Sequence, residues 1–126
     1  MHADTKYGLT VESPYVELAV EVFSMLADAT RVRIILALRD TELSVNHLAD
    51  IVDKSPAAVS QHLAKLRLAR IVVTRQDRQR VFYRLANEHA RQLVADAIFQ
   101  AQHTVDADPA HHREESPTTV AARDRP

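Results

Sequence analysis

The chain has 126 residues, with 16 Lys and Arg against 17 Asp and Glu, no cysteine and a single glycine, Gly8. Lack of cysteine excludes disulfides, thiolate metal ligation and thiol catalysis and fits a cytoplasmic protein, while a lone glycine excludes Gly-rich phosphate loops and the glycine-flanked nucleophile elbow. The length suits one domain with a modest core; no run approaches the roughly 20 apolar residues of a membrane span, and no secretory signal or membrane partner is expected.

Met1 to Pro14 is polar and is expected to be a flexible arm (residues 1–14). Ser13-Pro14 introduces a helix over Tyr15 to Ala27, with Glu17 in its first turns, favourable to the helix dipole. That stretch, YVELAVEVFSMLA, is so apolar that it predicts a helix buried on most sides, in the core or in a dimer. A second helix follows over Asp28 to Leu38, capped by Asp28 or Thr30, with Val32, Ile35, Leu36 and Leu38 inward. Arg39 to Leu43 reads as a polar connection. Ser44 then caps a third helix, Val45 to Val52, with Val45, Leu48, Ala49 and Val52 at helical spacing.

Asp53-Lys54 links that helix tightly to Ser55 and Pro56, an N-cap followed by a proline at the first helical position. Asp53 tolerates the left-handed conformation such a turn needs. In the fourth helix Val59, Leu63, Leu66 and Leu68 can face a core. Ser60, Gln61, His62, Lys65 and Arg67 remain polar or cationic. Two short helices with the second richer in polar groups form a helix-turn-helix, whose second helix can enter a DNA major groove; the plain alternative is an ordinary solvated face.

Two strands, Ile71 to Thr74 and Val81 to Leu85, flank a tip at Gln76 to Gln79. The tip lacks Asn-Gly or Asp-Gly, which predicts a loop longer than two residues. Arg75, Arg78 and Arg80 surround it, suited to phosphate contact or a minor groove. A helix-turn-helix followed by a basic hairpin is a winged helix. Charge agrees: Asp28 to Leu85 holds eleven cations and six acids, for +5, while the rest of the chain carries −6. A basic middle with acidic ends points to a polyanion, against the alternative of chance clustering.

Asn87 caps a last helix running to about His103, with Ala90, Leu93, Val94, Ala97, Ile98 and Ala101 on one stripe. The DNA-reading unit does not need this helix to fold. A homodimer is the economical use for it, since twofold symmetry matches a palindromic operator. Residues 104–126 read as a flexible tail containing His111 and His112.

Seven histidines is a high count for this length. On a helical wheel His89, Asp96, Gln100 and His103 share one side, but His89 and His103 are about 21 Å apart along the axis. One helix cannot bring both to an ion; two antiparallel copies can, which predicts two equivalent intersubunit sites. The alternative is a pair of solvated histidines.

The segments LADATRVRIILAL, LSVNHLADIV, SPAAVSQHLAKLRLARIV and VFYRL together resemble the ArsR/SmtB winged-helix metal-sensing repressors, from about Val16 to His103. The resemblance implies a mainly α protein with a β-hairpin wing, homodimeric through its first and last helices (domain 15–103). It implies a repressor that leaves double-stranded operator DNA when an inducer metal binds. The family's last-helix site uses Asp-x-His near the helix start and His plus His or Glu near its end. Here Asn87-Glu88-His89 retains His89, and Gln100 and His103 retain His103. The pattern is most similar to the nickel/cobalt-sensing actinobacterial branch, which adds tail histidines, as His111 and His112 would. The implied metal set is His89, His103, His111 and His112, with Glu88 or Gln102 as additions, for Ni(II), Co(II) or Zn(II). The expected DNA set is Ser55, Ser60, Gln61, His62, Lys65, Arg75, Arg78 and Arg80. Asn87 and Gln100 are poor metal ligands, so a repressor of this fold answering an organic ligand, or none, is the alternative. A histidine-based metal hydrolase would need an open site with a positioned base, and nothing groups such residues here; no enzyme is expected.

Overall fold

The computed structural model describes residues 9–106. They form α1 (Val16–Leu26), α2 (Ala29–Ala37), α3 (Val45–Val52), α4 (Pro56–Leu68), β1 (Val72–Asp77), β2 (Arg80–Leu85) and α5 (His89–Asp106). Residues 1–8 and 107–126, and with them most of the expected arm and tail, lie outside this range. Among the described residues no helix is long and apolar enough to cross a membrane.

Side-chain oxygens set three helix starts. Asp28 Oδ1 accepts from Arg31 N at 3.0 Å, Ser44 Oγ from His47 N at 3.3 Å, and Ser55 Oγ from Ala58 N at 3.1 Å. Each satisfies an amide that the first helical turn leaves without a partner, an effect of about 1 kcal/mol. Pro56 takes the first turn of α4, where its missing N–H is not needed. Asp53 ends α3 in the left-handed conformation with φ 58°, and this reverses the chain into α4.

Ile34 and Ile35 of α2, Leu48 of α3, and Val59, Leu63 and Leu66 of α4 are fully buried. Each contributes about 1.5–3 kcal/mol by leaving water. The buried stripe of α2 runs through Ile34, Ile35 and Leu38, leaving Val32 and Leu36 half-buried. Leu68, expected inward, is 87% exposed. It lies two residues beyond Leu66, about 200° around the helix, so the two cannot face one core.

The hairpin corrects the expected tip. Antiparallel pairing runs from Val72↔Leu85 to Asp77↔Arg80, leaving only Arg78-Gln79 as the turn. Arg78 adopts φ 60°, and the Gln76 side-chain amide donates to its carbonyl at 3.1 Å. That local bond helps hold a conformation in which Gly or Asn is more usual. The connection before α3 is more than a polar loop: Leu43 bridges Tyr83, with Leu43 N donating to Tyr83 O at 3.0 Å and Tyr83 N to Leu43 O at 2.8 Å. This bridge fixes the wing beside the helix-turn-helix.

No residue of α1 is buried within the described chain, so of the two coverings expected for it, core or dimer, the chain's own core does not supply one. Tyr15, Leu18, Val20 and Phe23 are 56–64% exposed. Only Val22, Met25 and Leu26 reach intermediate burial. The fully buried side chains belong to α2, α3, α4 and β1 or lie directly beside them, and none belongs to α1.

Residues 9–91 belong to one compact unit, and α5 from Gln92 onward belongs to a second. At the start of α5, Asn87 Oδ1 accepts from His89 N at 2.9 Å, the predicted cap. The helix continues past His103 to Asp106, with Gln92 Nε2 donating to Asp96 at 3.0 Å and Thr104 Oγ1 to Gln100 O at 2.9 Å.

Candidate functional site

Because Val59, Leu63 and Leu66 point inward, α4 turns Ser60, Gln61 and Lys65 outward together, all exposed. Ser55 sits at the start of the same helix. Its oxygen is engaged by the cap, and its hydroxyl proton is still free to donate. These four residues are exposed on α4 or at its cap.

His62 does not join them. It is half-buried, with Nδ1 4.0 Å from Asp28 Oδ1 and 3.2 Å from Arg31 Nη1, while Arg31 Nε donates to Met25 O at 2.7 Å. His62 lies beside Leu63 and one turn from Val59, on the flank of the buried stripe. It ties α4 to the start of α2 rather than standing free. The Arg31 backbone N–H holds the Asp28 carboxyl below its ordinary range; partial burial opposes this, and the nearby Arg31 and His62 reinforce it.

The three wing arginines separate as well. Arg75 Nε donates to Glu42 Oε1 at 2.8 Å, and its Nη2 pairs with the same oxygen. Its guanidinium also lies 4.9 Å from the Phe82 ring centroid, and that of Arg80 lies 5.1 Å from it. Arg75 is thus already neutralised within the chain. Arg78 and Arg80 have no carboxylate partner among the described residues. Neither Glu42 as the partner of Arg75, 33 positions away, nor Arg31 as the partner of His62, 31 positions away, carries a local sequence signal.

The Arg75 bond holds the Glu42 carboxyl below its ordinary value. With the folded value lower than the unfolded one, the pair's contribution to stability is complete above the ordinary glutamate range. It is lost as pH falls through the lowered folded value. Because the pair is exposed, the effect is small. Glu42→Gln is expected to flatten this part of the acid limb in urea unfolding followed from neutral pH downward. An unchanged acid limb would mean that the pair contributes nothing.

His89 and His103 are both exposed on α5, and neither ring has a hydrogen-bond partner among the described residues. Their fourteen-residue separation along one unbroken helix is about 21 Å, against Zn–N bonds of about 2 Å. Accordingly, no three His, Cys, Asp or Glu side chains gather around one point among the described residues. Free imidazoles suit Ni(II), Co(II) or Zn(II) as donors, but a single chain does not converge them. Asn87 Oδ1 is engaged as a cap, accepting from His89 N. His111 and His112 lie outside the described residues.

The family described as bacterial regulatory protein, arsR family, matches residues 28–74, from the cap of α2 into β1. The chain is similar to the HTH-type transcriptional regulator KmtR of Mycobacterium tuberculosis (strain ATCC 25618 / H37Rv). The two are 60% identical over 96 residues, which is 76% of this chain and 74% of that protein. It is also similar to the cadmium resistance transcriptional regulatory protein CadC homolog of Staphylococcus aureus, at 40% identity over 79 residues, or 62% of this chain and 65% of that one. Among solved structures it resembles M. tuberculosis Rv0081, with TM-score 0.68 and 29% identity, covering 75% of this chain and 95% of that one.

Proposed function

This chain belongs to the ArsR family of bacterial regulatory proteins, DNA-binding transcriptional regulators rather than enzymes, and from that premise we propose a metal-responsive homodimeric repressor working in the cytoplasm. Residues 15–103 form its DNA-binding and dimerising domain. Ser55, Ser60, Gln61 and Lys65 address the major groove, and Arg78 and Arg80 address phosphate or the minor groove. Ni(II), Co(II) or Zn(II), bridging His89 of one protomer and His103 of its partner, changes the spacing of the two reading heads and weakens operator binding. The tail residues His111 and His112 complete the ligand set. The observation that carries the metal reading is the pair of exposed imidazoles on one helix, neither with a hydrogen-bond partner among the described residues. A relative whose name records cadmium resistance supports it.

A second reading, the same repressor without metal response, is favoured by one observation: Asn87 is engaged in capping α5. Titrating each of the three metals against operator-bound protein separates the two readings. Release of DNA is expected; unchanged affinity at saturating metal would establish the metal-free repressor. The DNA assignment is read from two further variants. Gln61→Ala is expected to cost about 1–3 kcal/mol and relax base preference at one position. Arg78→Ala is expected to weaken all sequences alike and to lower the salt slope by about 1. Full affinity in both variants would displace the reading heads from α4 and the wing.

A further inference from the structure

We propose that the cavity between the C-terminal half of α4 and β2, lined by Ser60, Ala64, Arg67, Leu68, Arg70 and Tyr83, seats a backbone phosphate of bound DNA. The proposal rests on the DNA-binding reading above and adds a phosphate seat to it. The cavity measures about 450 Å³. Its polar side chains are two guanidinium groups, a hydroxyl and a phenol, all able to donate, and no carboxylate lines it. That is the chemistry of an anion site, and two guanidinium forks match phosphate oxygens in particular. Leu68 adds an exposed apolar surface against which a deoxyribose can lie.

Two observations bear on the two guanidinium groups. Neither Arg67 nor Arg70 has a carboxylate within 4.0 Å among the described residues; Arg33, Arg78 and Arg80 share that state, and what sets Arg67 and Arg70 apart is that they line one carboxylate-free cavity together. Second, Arg70 adopts φ 63° where α4 turns into the wing, with Arg70 N donating to Arg67 O and Ile71 N to Leu66 O, both at 2.9 Å. Glycine is the usual occupant of such a helix end, because a Cβ is penalised there. An arginine held in this conformation weakens the fold locally, so its presence calls for a use of its side chain. The competing explanation is a cation that merely complements the C-terminal end of the helix dipole. The two differ in sign: removing a dipole-stabilising cation destabilises the protein, whereas replacing a strained DNA-contacting arginine with glycine does not.

The test uses the full chain and a duplex selected by it from a random pool, with affinity measured at several KCl concentrations. Arg70→Gly is expected to melt at or above the wild-type temperature and to bind DNA several-fold more weakly. Its log K against log salt slope should fall by about 0.9 for each phosphate that is no longer neutralised. Arg70→Asn, which also tolerates the left-handed conformation, and Arg67→Gln should show the same fall in slope. Arg33→Gln, an exposed cation on α2, should show none. The proposal is overturned if Arg70→Gly keeps wild-type affinity and slope, or if Arg33→Gln matches its loss, which would make the effect one of net charge. It is also overturned if inorganic phosphate without DNA raises the melting temperature of the wild type but not of Arg70→Gly, since the seat would then serve free phosphate. Wild type that binds no duplex at all is a different result, and it removes the DNA-binding reading itself.

Discussion

Phe23→Asp on α1 is expected to turn a dimer into a monomer and to lower operator affinity by about 100-fold or more. Phe23, Leu18 and Val20 are each more than half exposed, and no residue of α1 is buried. Aromatic and aliphatic groups in such number on one helix remain in water only if nothing covers them, and a second copy removes that cost. A carboxylate introduced there must be desolvated without a partner, which opposes association strongly. The fold itself should survive, because the fully buried side chains all lie on α2, α3, α4 and β1 or directly beside them. Two linked reading heads gain about 10²- to 10⁴-fold over one, and a monomer forfeits that gain. Sedimentation equilibrium beside operator titration reads both quantities. A Phe23→Asp protein that stays dimeric with full affinity would remove α1 from the interface.

His89→Ala and His103→Ala are each expected to abolish metal-induced release while leaving metal-free operator affinity within about twofold of wild type. Coupling of this kind is about 1–3 kcal/mol, or 5- to 150-fold in affinity, and either substitution should remove it entirely. The reason is geometric: the two rings are about 21 Å apart on one helix, so a site shared by both histidines would have to take one ring from each chain. Mixing the two variants supplies a sharper readout. A heterodimer of a His89→Ala chain and a His103→Ala chain loses both ligands of one site and keeps both of the other. Mixed dimers should therefore regain part of the metal response that each variant alone lacks. If mixing restores nothing, the histidines do not bridge protomers. If both variants respond to metal like wild type, α5 holds no sensing site.

The helix-turn-helix was legible in the sequence because its determinants are local. Asp28, Ser44 and Ser55 each cap a helix three residues before the amide they accept, and Pro56 and Asp53 act through their own backbone. Periodicity identified Val59, Leu63 and Leu66 as the inward side of α4, which settled the outward side of Ser60, Gln61 and Lys65 as well. Asn87 as the cap of α5 was likewise readable one turn away.

Tertiary structure alone decided which of these side chains stand free. Arg75 reads like Arg78 and Arg80 until Leu43 bridges Tyr83 and brings Glu42 beside it. His62 reads like Gln61 until the start of α2 meets it with Asp28 and Arg31. The apolar run of α1 predicts burial, but burial depends on a partner surface, and the chain's own core leaves that helix uncovered. Capping and periodicity act within a few residues and so are written in sequence order. Charge pairing and coverage join residues 30 or more positions apart, which only the folded chain brings together.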